Sequence, residues 1–225
     1  MTTQEQFDTD VIPTTAGDLV ITFLGHGSLM LDFNEVNISV DPFSRVADYA
    51  QLPKADLILI THEHHDHFSA DDIEKTRDAD TAFVVTAAVA AQLQGDVRTV
   101  KAGDTVEVKG VAIEVVPAYN LRKHFHPQSA GGIGFILTVS GRRVYHAGDT
   151  DAIPEMADIQ ADVVLLPVGG KYTMDASEAA RVANAIKPKM AVPMHWGAGV
   201  IGTRADAERF CAICEVPTQI LEPAE

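Results

Sequence analysis

Basic residues are scarce: 17 Lys and Arg stand against 32 Asp and Glu in 225 residues, a formal net charge of −15. That balance repels the phosphate backbone on which most nucleic-acid affinity rests, so no long nucleic-acid partner is expected. A small anionic substrate is still admitted, because a pair of divalent ions reverses the field locally. Long apolar runs are missing too. None approaches the ~20 residues that cross a bilayer, and Met1 to Asp10 is polar and acidic instead of basic and then apolar. These absences read as a soluble, unexported, cytoplasmic protein. Cysteine is almost absent, Cys211 and Cys214 forming a single C-x-x-C. A structural zinc site would need a second pair and a redox motif a strand leading into it. Both thiols are therefore expected to be free and to pack from a helix spanning 204–214.

What is present in quantity is apolar: 46% of the residues are hydrophobic, enough for a sizeable core. Residues 1–17 carry no clear period and are expected to form an N-terminal arm, with 18–225 as one domain. Short strands then follow quickly at 19–24, 28–33 and 36–40, separated by Gly25-His26-Gly27 and Asn34-Glu35, which is turn chemistry. Further strands are expected at 57–60, 82–86, 97–100, 105–108, 111–116, 133–139, 143–146, 163–166 and 190–194. Helices are expected from Ala70, over 87–93, and after Asp175, whose Asp-x-x-Glu spacing is a capping-box variant. Pro117 to Gly132 is longer than a mere connection requires and reads as a binding loop.

The stretch Thr61-His62-Glu63-His64-His65-Asp66-His67-Phe68 concentrates four imidazoles and two carboxylates in eight residues. It lies between the apolar run Leu57-Ile58-Leu59-Ile60 and a helix opened by Ser69. In extended backbone, residues two apart point the same way, so His62 and His64 can grip one ion together. As the chain turns, Asp66 and His67 can be aimed at a second position, while Glu63 and His65 face away. Neutral imidazole and carboxylate suit zinc and its first-row neighbours.

Other strand ends carry matching residues. The strand at 143–146 runs into Gly148-Asp149-Thr150, and the strand at 190–194 delivers His195. Six candidate ligands, His62, His64, Asp66, His67, Asp149 and His195, thus come from three strands, and ligands in layered α/β proteins collect at the carboxyl ends of strands. Two ions about 3.5 to 4 Å apart can share a water and lower its pKa, with Asp149 as the carboxylate between them. His26 and Asp41 are read as turn residues able to accept or orient behind the ligand histidines.

These motifs, His62-x-His64-x-Asp66-His67, Gly148-Asp149-Thr150 and Pro193-Met194-His195, resemble the metallo-β-lactamase superfamily over about Leu24 to Trp196. Phe23-Leu24-Gly25-His26-Gly27-Ser28, Val40-Asp41-Pro42 and Tyr145-His146-Ala147-Gly148-Asp149-Thr150 look like its branch of ascorbate-6-phosphate lactonase-like and N-acylphosphatidylethanolamine phospholipase D-like metal-dependent hydrolases. The resemblance implies an α+β fold, an αββα four-layer sandwich. It also implies one site from His62, His64 and a third histidine, and another from Asp66, His67 and His195, bridged by Asp149. The chain departs from the pattern where many relatives carry that third histidine. It reads Pro117-Ala118-Tyr119-Asn120, and neutral Asn is a weak zinc donor. His126 in the same loop is the expected replacement, with His124 in reserve.

The expected function is a metal-dependent hydrolase, di-zinc with Mn or Fe as alternatives. A metal-bound hydroxide oriented by Asp66 would attack an ester, lactone, amide or phosphodiester in a small molecule. Arg122, Lys123 and Lys171 lie in loops near the expected mouth and are candidates for binding an anion. The alternatives are an iron-binding oxidoreductase of the same fold and a non-catalytic metal-binding protein. Homo-oligomerisation is left open.

Overall fold

All four side chains of Leu57-Ile58-Leu59-Ile60 are fully buried, which requires cover on both faces of their strand. The computed structural model describes residues 7–223 and shows that cover. Strands β1 (Thr9–Thr14), β2 (Gly17–Gly25), β3 (Ser28–Phe33), β4 (Val36–Val40), β5 (Ala55–Ile60), β6 (Arg77–Val85) and β7 (Asp96–Thr99) form one sheet in sequence order. Strands β8 (Thr105–Val108), β9 (Val111–Pro117), β10 (Ile133–Val139), β11 (Arg142–His146), β12 (Val163–Pro167) and β13 (Met190–Met194) form a second, ordered from β13 back to β8.

The period-2 alternation of a strand sorts β5 between two cores. Leu57 and Leu59 join the large cluster shared with Ile113, Val115, Phe135 and Leu137 of the second sheet. Ile58 and Ile60 join Phe68, Ile73, Phe83 and Val89 under the helices Ala70–Thr76 and Ala87–Ala90. Helix Ala176–Ile186 packs on β12 and helix Arg204–Ile213 on β13, closing the other side. The result is the αββα sandwich, an α+β fold. Among the described residues no helix is long and apolar enough to cross a membrane.

Each sheet is parallel where it feeds the motif loops. β4, β5 and β6 run parallel in the first sheet and β11, β12 and β13 in the second. Parallel neighbours end at the same edge, so the chain leaving β4, β5, β11 and β13 emerges on one rim of the sandwich. Asp41 follows β4, His62 follows β5, Ala147 to Asp149 follow β11 and His195 follows β13.

The structure departs from the sequence reading in three local places. Thr9–Thr14, expected within an aperiodic arm, pairs antiparallel with β2, and backbone hydrogen bonds alone can hold such an edge strand without a side-chain period. The first six residues of that arm lie outside the described residues. The helix expected over 87–93 runs only from Ala87 to Ala90 and then tightens into turns closed by Gln92 and Leu93 N–H groups on the Val89 and Ala90 carbonyls. Ser69 does cap its helix, accepting from the Asp72 N–H at 3.4 Å. The Asp72 carboxylate instead accepts from the Ser44 N–H at 2.8 Å and ties down the β4–β5 connection. The two cysteines are free, half-buried and packed against the core.

The helix backing β12 has a full capping box: Asp175 Oδ1 accepts from the Ser177 and Glu178 N–H groups at 2.8 Å, and Glu178 Oε2 accepts from the Asp175 N–H at 3.0 Å. Asp175→Ala is expected to lower folding stability by about 1 kcal/mol, read as a shifted urea midpoint. An unchanged midpoint would mean that these N–H groups find other acceptors.

Candidate metal centre

On the shared rim, six imidazoles and one carboxylate converge. Ring nitrogens of His62, His64 and His126 lie within 4.8 Å of one another, as do those of His26, His67 and His195; a third such group joins His62 and His67 to Asp149. In the first group His62 Nε2 is 3.1 Å from His64 Nδ1, which is 2.9 Å from His126 Nε2. Two nitrogens held at zinc distance on one tetrahedral ion would stand about 3.3 Å apart, so this group is close to ligand spacing. Asp149 is 5% exposed and sits between the groups. Its oxygens are 3.1 Å from His195 Nε2, 3.5 Å from His67 Nε2 and 3.4 Å from His126 Nε2.

Hydrogen bonds behind the rings decide which nitrogen of each is free. The Thr61 hydroxyl donates to Asp41 Oδ2 at 2.6 Å, so its oxygen accepts from His62 Nδ1–H at 2.9 Å and leaves His62 Nε2 as a lone pair facing inward. His67 Nδ1–H donates to the same Asp41 oxygen at 2.8 Å, freeing His67 Nε2. His126 Nδ1–H donates to the Tyr172 carbonyl at 3.2 Å and likewise frees Nε2. Ligand histidines are generally fixed in this way, by an acceptor on the other ring nitrogen.

The buried atoms without partners point to the same conclusion. His67 Nε2, Asp149 Oδ1, His26 Nδ1 and His195 Nδ1 are all buried and make no hydrogen bond, and leaving such groups unpaired is costly. A cation would satisfy the first two. Electrostatics agree. Burial alone would raise the Asp149 carboxyl, but His195 and His67 beside it hold it well below the usual range, so it is ionised. Burial would lower His67, yet Asp149 and Asp41 outweigh burial and push it up to about 9. A proton there sets a positive charge between the Asp41 and Asp149 carboxylates. Burial and the neighbouring His195 lower His26 to about 4, and burial above all lowers His62 and His126.

Local backbone is bent to make the convergence. His26, Asp41, His126 and His195 all adopt the left-handed region, with φ of 54°, 47°, 55° and 61°. Non-glycine residues adopt that region uncommonly, His and Asp more readily than most, and turn residues such as Asn34 and Lys187 do so elsewhere in the chain. Gly27 must be glycine, because a Cβ there would stand 2.8 Å from His67 Cε1.

The structure brings together His62, His64, His67, Asp149 and His195 from the expected set, with His126 beside them. His124 is exposed and belongs to none of the groups. Asn120 does occupy the start of the loop, but its amide donates to the Phe125 and Tyr172 carbonyls at 2.8 and 2.7 Å, so it shapes the loop that presents His126. Asp66 stands slightly apart. Its Oδ2 is 3.2 Å from His26 Nε2, and His26, read from sequence as a residue behind the ligands, takes its place beside His67 and His195. The left-handed turn at His26 puts that ring in contact with His195, the ring centroids being 4.0 Å apart. His146 is turned inward, its Nε2–H donating to the Gly27 carbonyl at 2.9 Å and its Nδ1 accepting from the Gly148 N–H at 3.2 Å. Lys123 is committed to Asp151 and to the Thr173 carbonyl. Sequence reasoning missed Thr61 and Tyr172. Thr61 had a signal, since it follows an apolar strand next to the one ending in Asp41; Tyr172 had none, being brought to His126 only by the fold.

Residues 20–195 match the model of the beta-lactamase superfamily domain. A metal-dependent hydrolase of Methanopyrus kandleri is 35% identical, over 91% of this chain and 97% of its own. One of Thermoplasma acidophilum is 34% identical, over 92% and 96%. The crystal structure of a provisionally named metal-dependent hydrolase from Parabacteroides distasonis superposes with a TM-score of 0.87 at 39% identity, covering 95% of this chain and 98% of that one. A metallo hydrolase from Ignicoccus hospitalis gives 0.77 at 26% identity, covering 92% and 96%.

Two outcomes are expected. His26, His62, His126 and His146 are held below the ordinary histidine value of 6.5 when folded, so the unfolded chain binds more protons below that pH and stability falls as pH drops toward 4. His67 has the opposite sign: its contribution is complete below 6.5 and is lost as pH rises through about 9. Denaturant midpoints of the metal-free protein should therefore peak near neutrality and fall on both sides, more steeply on the acid side. Separately, metal titration of His126→Ala should show one weakened binding step and one unchanged step, and two unchanged steps would remove His126 from the ligand set.

Proposed function

Because the chain belongs to the metallo-β-lactamase superfamily, we propose that it is a hydrolase of small molecules whose centre takes two divalent ions, zinc in the first instance. The carrying observation is the pair of imidazole groups meeting at Asp149 beneath a surface cavity that also reaches Asp66. Among the described residues no serine, threonine or cysteine lines that cavity, so no seryl, threonyl or cysteinyl nucleophile is offered there. Nitrogen-rich donors with two carboxylates suit zinc better than the harder ions. His62, His64 and His126 would hold one ion. His67, His195 and Asp66 or His26 would hold the other, with Asp149 between. When bound, such a pair activates water and polarises a substrate oxygen at neutral pH.

The residues of the chain then have separate tasks. Asp41, through His67 and through Thr61 to His62, keeps both rings in the tautomer that presents Nε2. Asp66 is partly exposed to the cavity. Burial would raise its carboxyl, but the hydrogen bond with His26 and the nearby His67 hold it well below the usual range. A carboxylate that weakly basic orients an attacking water by accepting its hydrogen bond; it does not keep the proton. In the net reaction the water oxygen bonds to the acyl or phosphoryl centre, and the leaving group departs with a proton.

The net charge of −15 fits a small-molecule substrate better than a nucleic acid. Which of ester, lactone, amide and phosphodiester is cleaved is a question for a substrate panel on metal-loaded protein. Asp66→Ala should lower turnover of the best panel substrate roughly a hundredfold or more while the thermal midpoint of the metal-free form moves little. Equal loss of turnover and of stability would make Asp66 structural.

A further inference from the structure

The cavity over the centre has a volume of about 220 Å³ and a divided lining. Its floor is polar, formed by His64, the exposed His65, Asp66, His126 and Asp149; its walls are Phe125, Tyr172 and Val200. Each wall residue comes from a different loop. Phe125 is carried by the Pro117 to Gly132 segment, Tyr172 by the turn after β12, and Val200 by Gly197-Ala198-Gly199-Val200-Ile201-Gly202 after His195. In that last loop Gly197, Ala198, Gly199 and Gly202 all have positive φ, a bent path that delivers one apolar side chain to the cavity.

Phe125 is 50% exposed, although a large apolar side chain half in water is the informative exception on a protein surface. It is not loose. Its ring meets the edge of Tyr172 at 4.8 Å and lies 6.5 Å from His64. The carbonyl behind it accepts from the Asn120 amide that also holds the Tyr172 carbonyl. The two aromatic walls are thus fixed to each other by the same amide that shapes the His126 loop.

Lysine and arginine, by contrast, are absent from the lining among the described residues. Lys123 is spent on Asp151, and Lys171 lies over the Tyr172 ring at 4.9 Å without lining the cavity. A substrate carboxylate or phosphate reaching past the centre would find no lysine or arginine there, only His65, Asp66 and the apolar walls.

We propose that this cavity is the pocket for an uncharged aryl or short aliphatic substituent of the substrate, placed beside the bond that the centre cleaves. The proposal rests on the hydrolase reading for the word substrate, while the pocket's preference is a binding property that can be measured without turnover. Burying one ring against Phe125, Tyr172 and Val200 should strengthen binding by an order of magnitude or more.

The probes are hydroxamates, which bind metal through a common head and differ only in the side chain: acetohydroxamate, phenylacetohydroxamate and the monohydroxamate of succinate. Calorimetry on the zinc-loaded protein should rank phenylacetohydroxamate about tenfold or more tighter than acetohydroxamate, with the succinate compound no tighter than acetohydroxamate. In Phe125→Ala, and again in Val200→Gly, the phenylacetyl to acetyl ratio should fall to about threefold or less. Phe125 is half-exposed, so its loss leaves the core intact. Equal affinities, a preference for the carboxylated chain, or a ratio unchanged in both variants would overturn the proposal. Esters with the same three acyl groups test the other reading separately: the expected binding preference with no ester, amide or phosphodiester hydrolysed would sink the hydrolase and leave the pocket standing.

Discussion

One buried carboxylate, Asp41, governs the protonation of the centre. It accepts directly from His67 and, through the Thr61 hydroxyl, indirectly from His62. These rings belong to different groups of the cluster, so a single acceptor sets the tautomer on both sides of Asp149. Were either ring to flip its proton, an N–H would face inward and the lone pair needed by a cation would be lost. Asp41 is itself held by the Thr61 backbone N–H at 2.8 Å and completely buried. The alignment of β4 and β5, which puts Asp41 beside Thr61, is therefore a condition for the chemistry as much as for the fold.

The surrounding architecture keeps those lone pairs facing one another. Unsatisfied nitrogens and a carboxylate packed together repel or go unpaired in the absence of a cation, a local conflict of the kind proteins retain at functional sites. Four residues of the centre in left-handed backbone add further cost, of order 1 kcal/mol or more each. The large shared core between the sheets and the two helical layers supplies the stability against which these costs are set. His195 and His26 are also locked by backbone, the His195 N–H donating to the His26 carbonyl at 2.6 Å and the His26 N–H to the Trp196 carbonyl at 2.9 Å. That exchange joins the two sheets at the rim, since one residue follows β2 and the other β13.

The loop between β9 and β10 is organised by Asn120, which stands where the sequence reading expected a third histidine. Asn120 is a poor ligand but a good organiser: its two amide hydrogens hold two carbonyls, and the bend they impose carries His126 back over His64. The same bend fixes Phe125 against Tyr172. The His64–His126 pair and the shape of the cavity thus depend on one side chain.

Much of this was legible in the chain itself. The apolar runs, the turn residues and the Thr-His-x-His-x-Asp-His stretch located nearly every strand of the sandwich and most of the cluster, because periodicity and ligand chemistry are local properties. Asp149 and His195 could be placed with them because parallel strands deliver their ends to one edge. What the chain could not reveal were distances between segments far apart in sequence. The placing of His26 beside His67, His195 and Asp66, and the capture of His126 by the Tyr172 carbonyl, depend on where separate loops come to rest. So does the commitment of Lys123 to Asp151, which removes a cation from the mouth. Residue types along the chain determined that a cluster able to hold metal ions would form on a layered α+β fold. Tertiary packing alone decided which nitrogens face inward and what kind of surface stands over them, since tautomer and cavity are set by contacts between loops that no local pattern records.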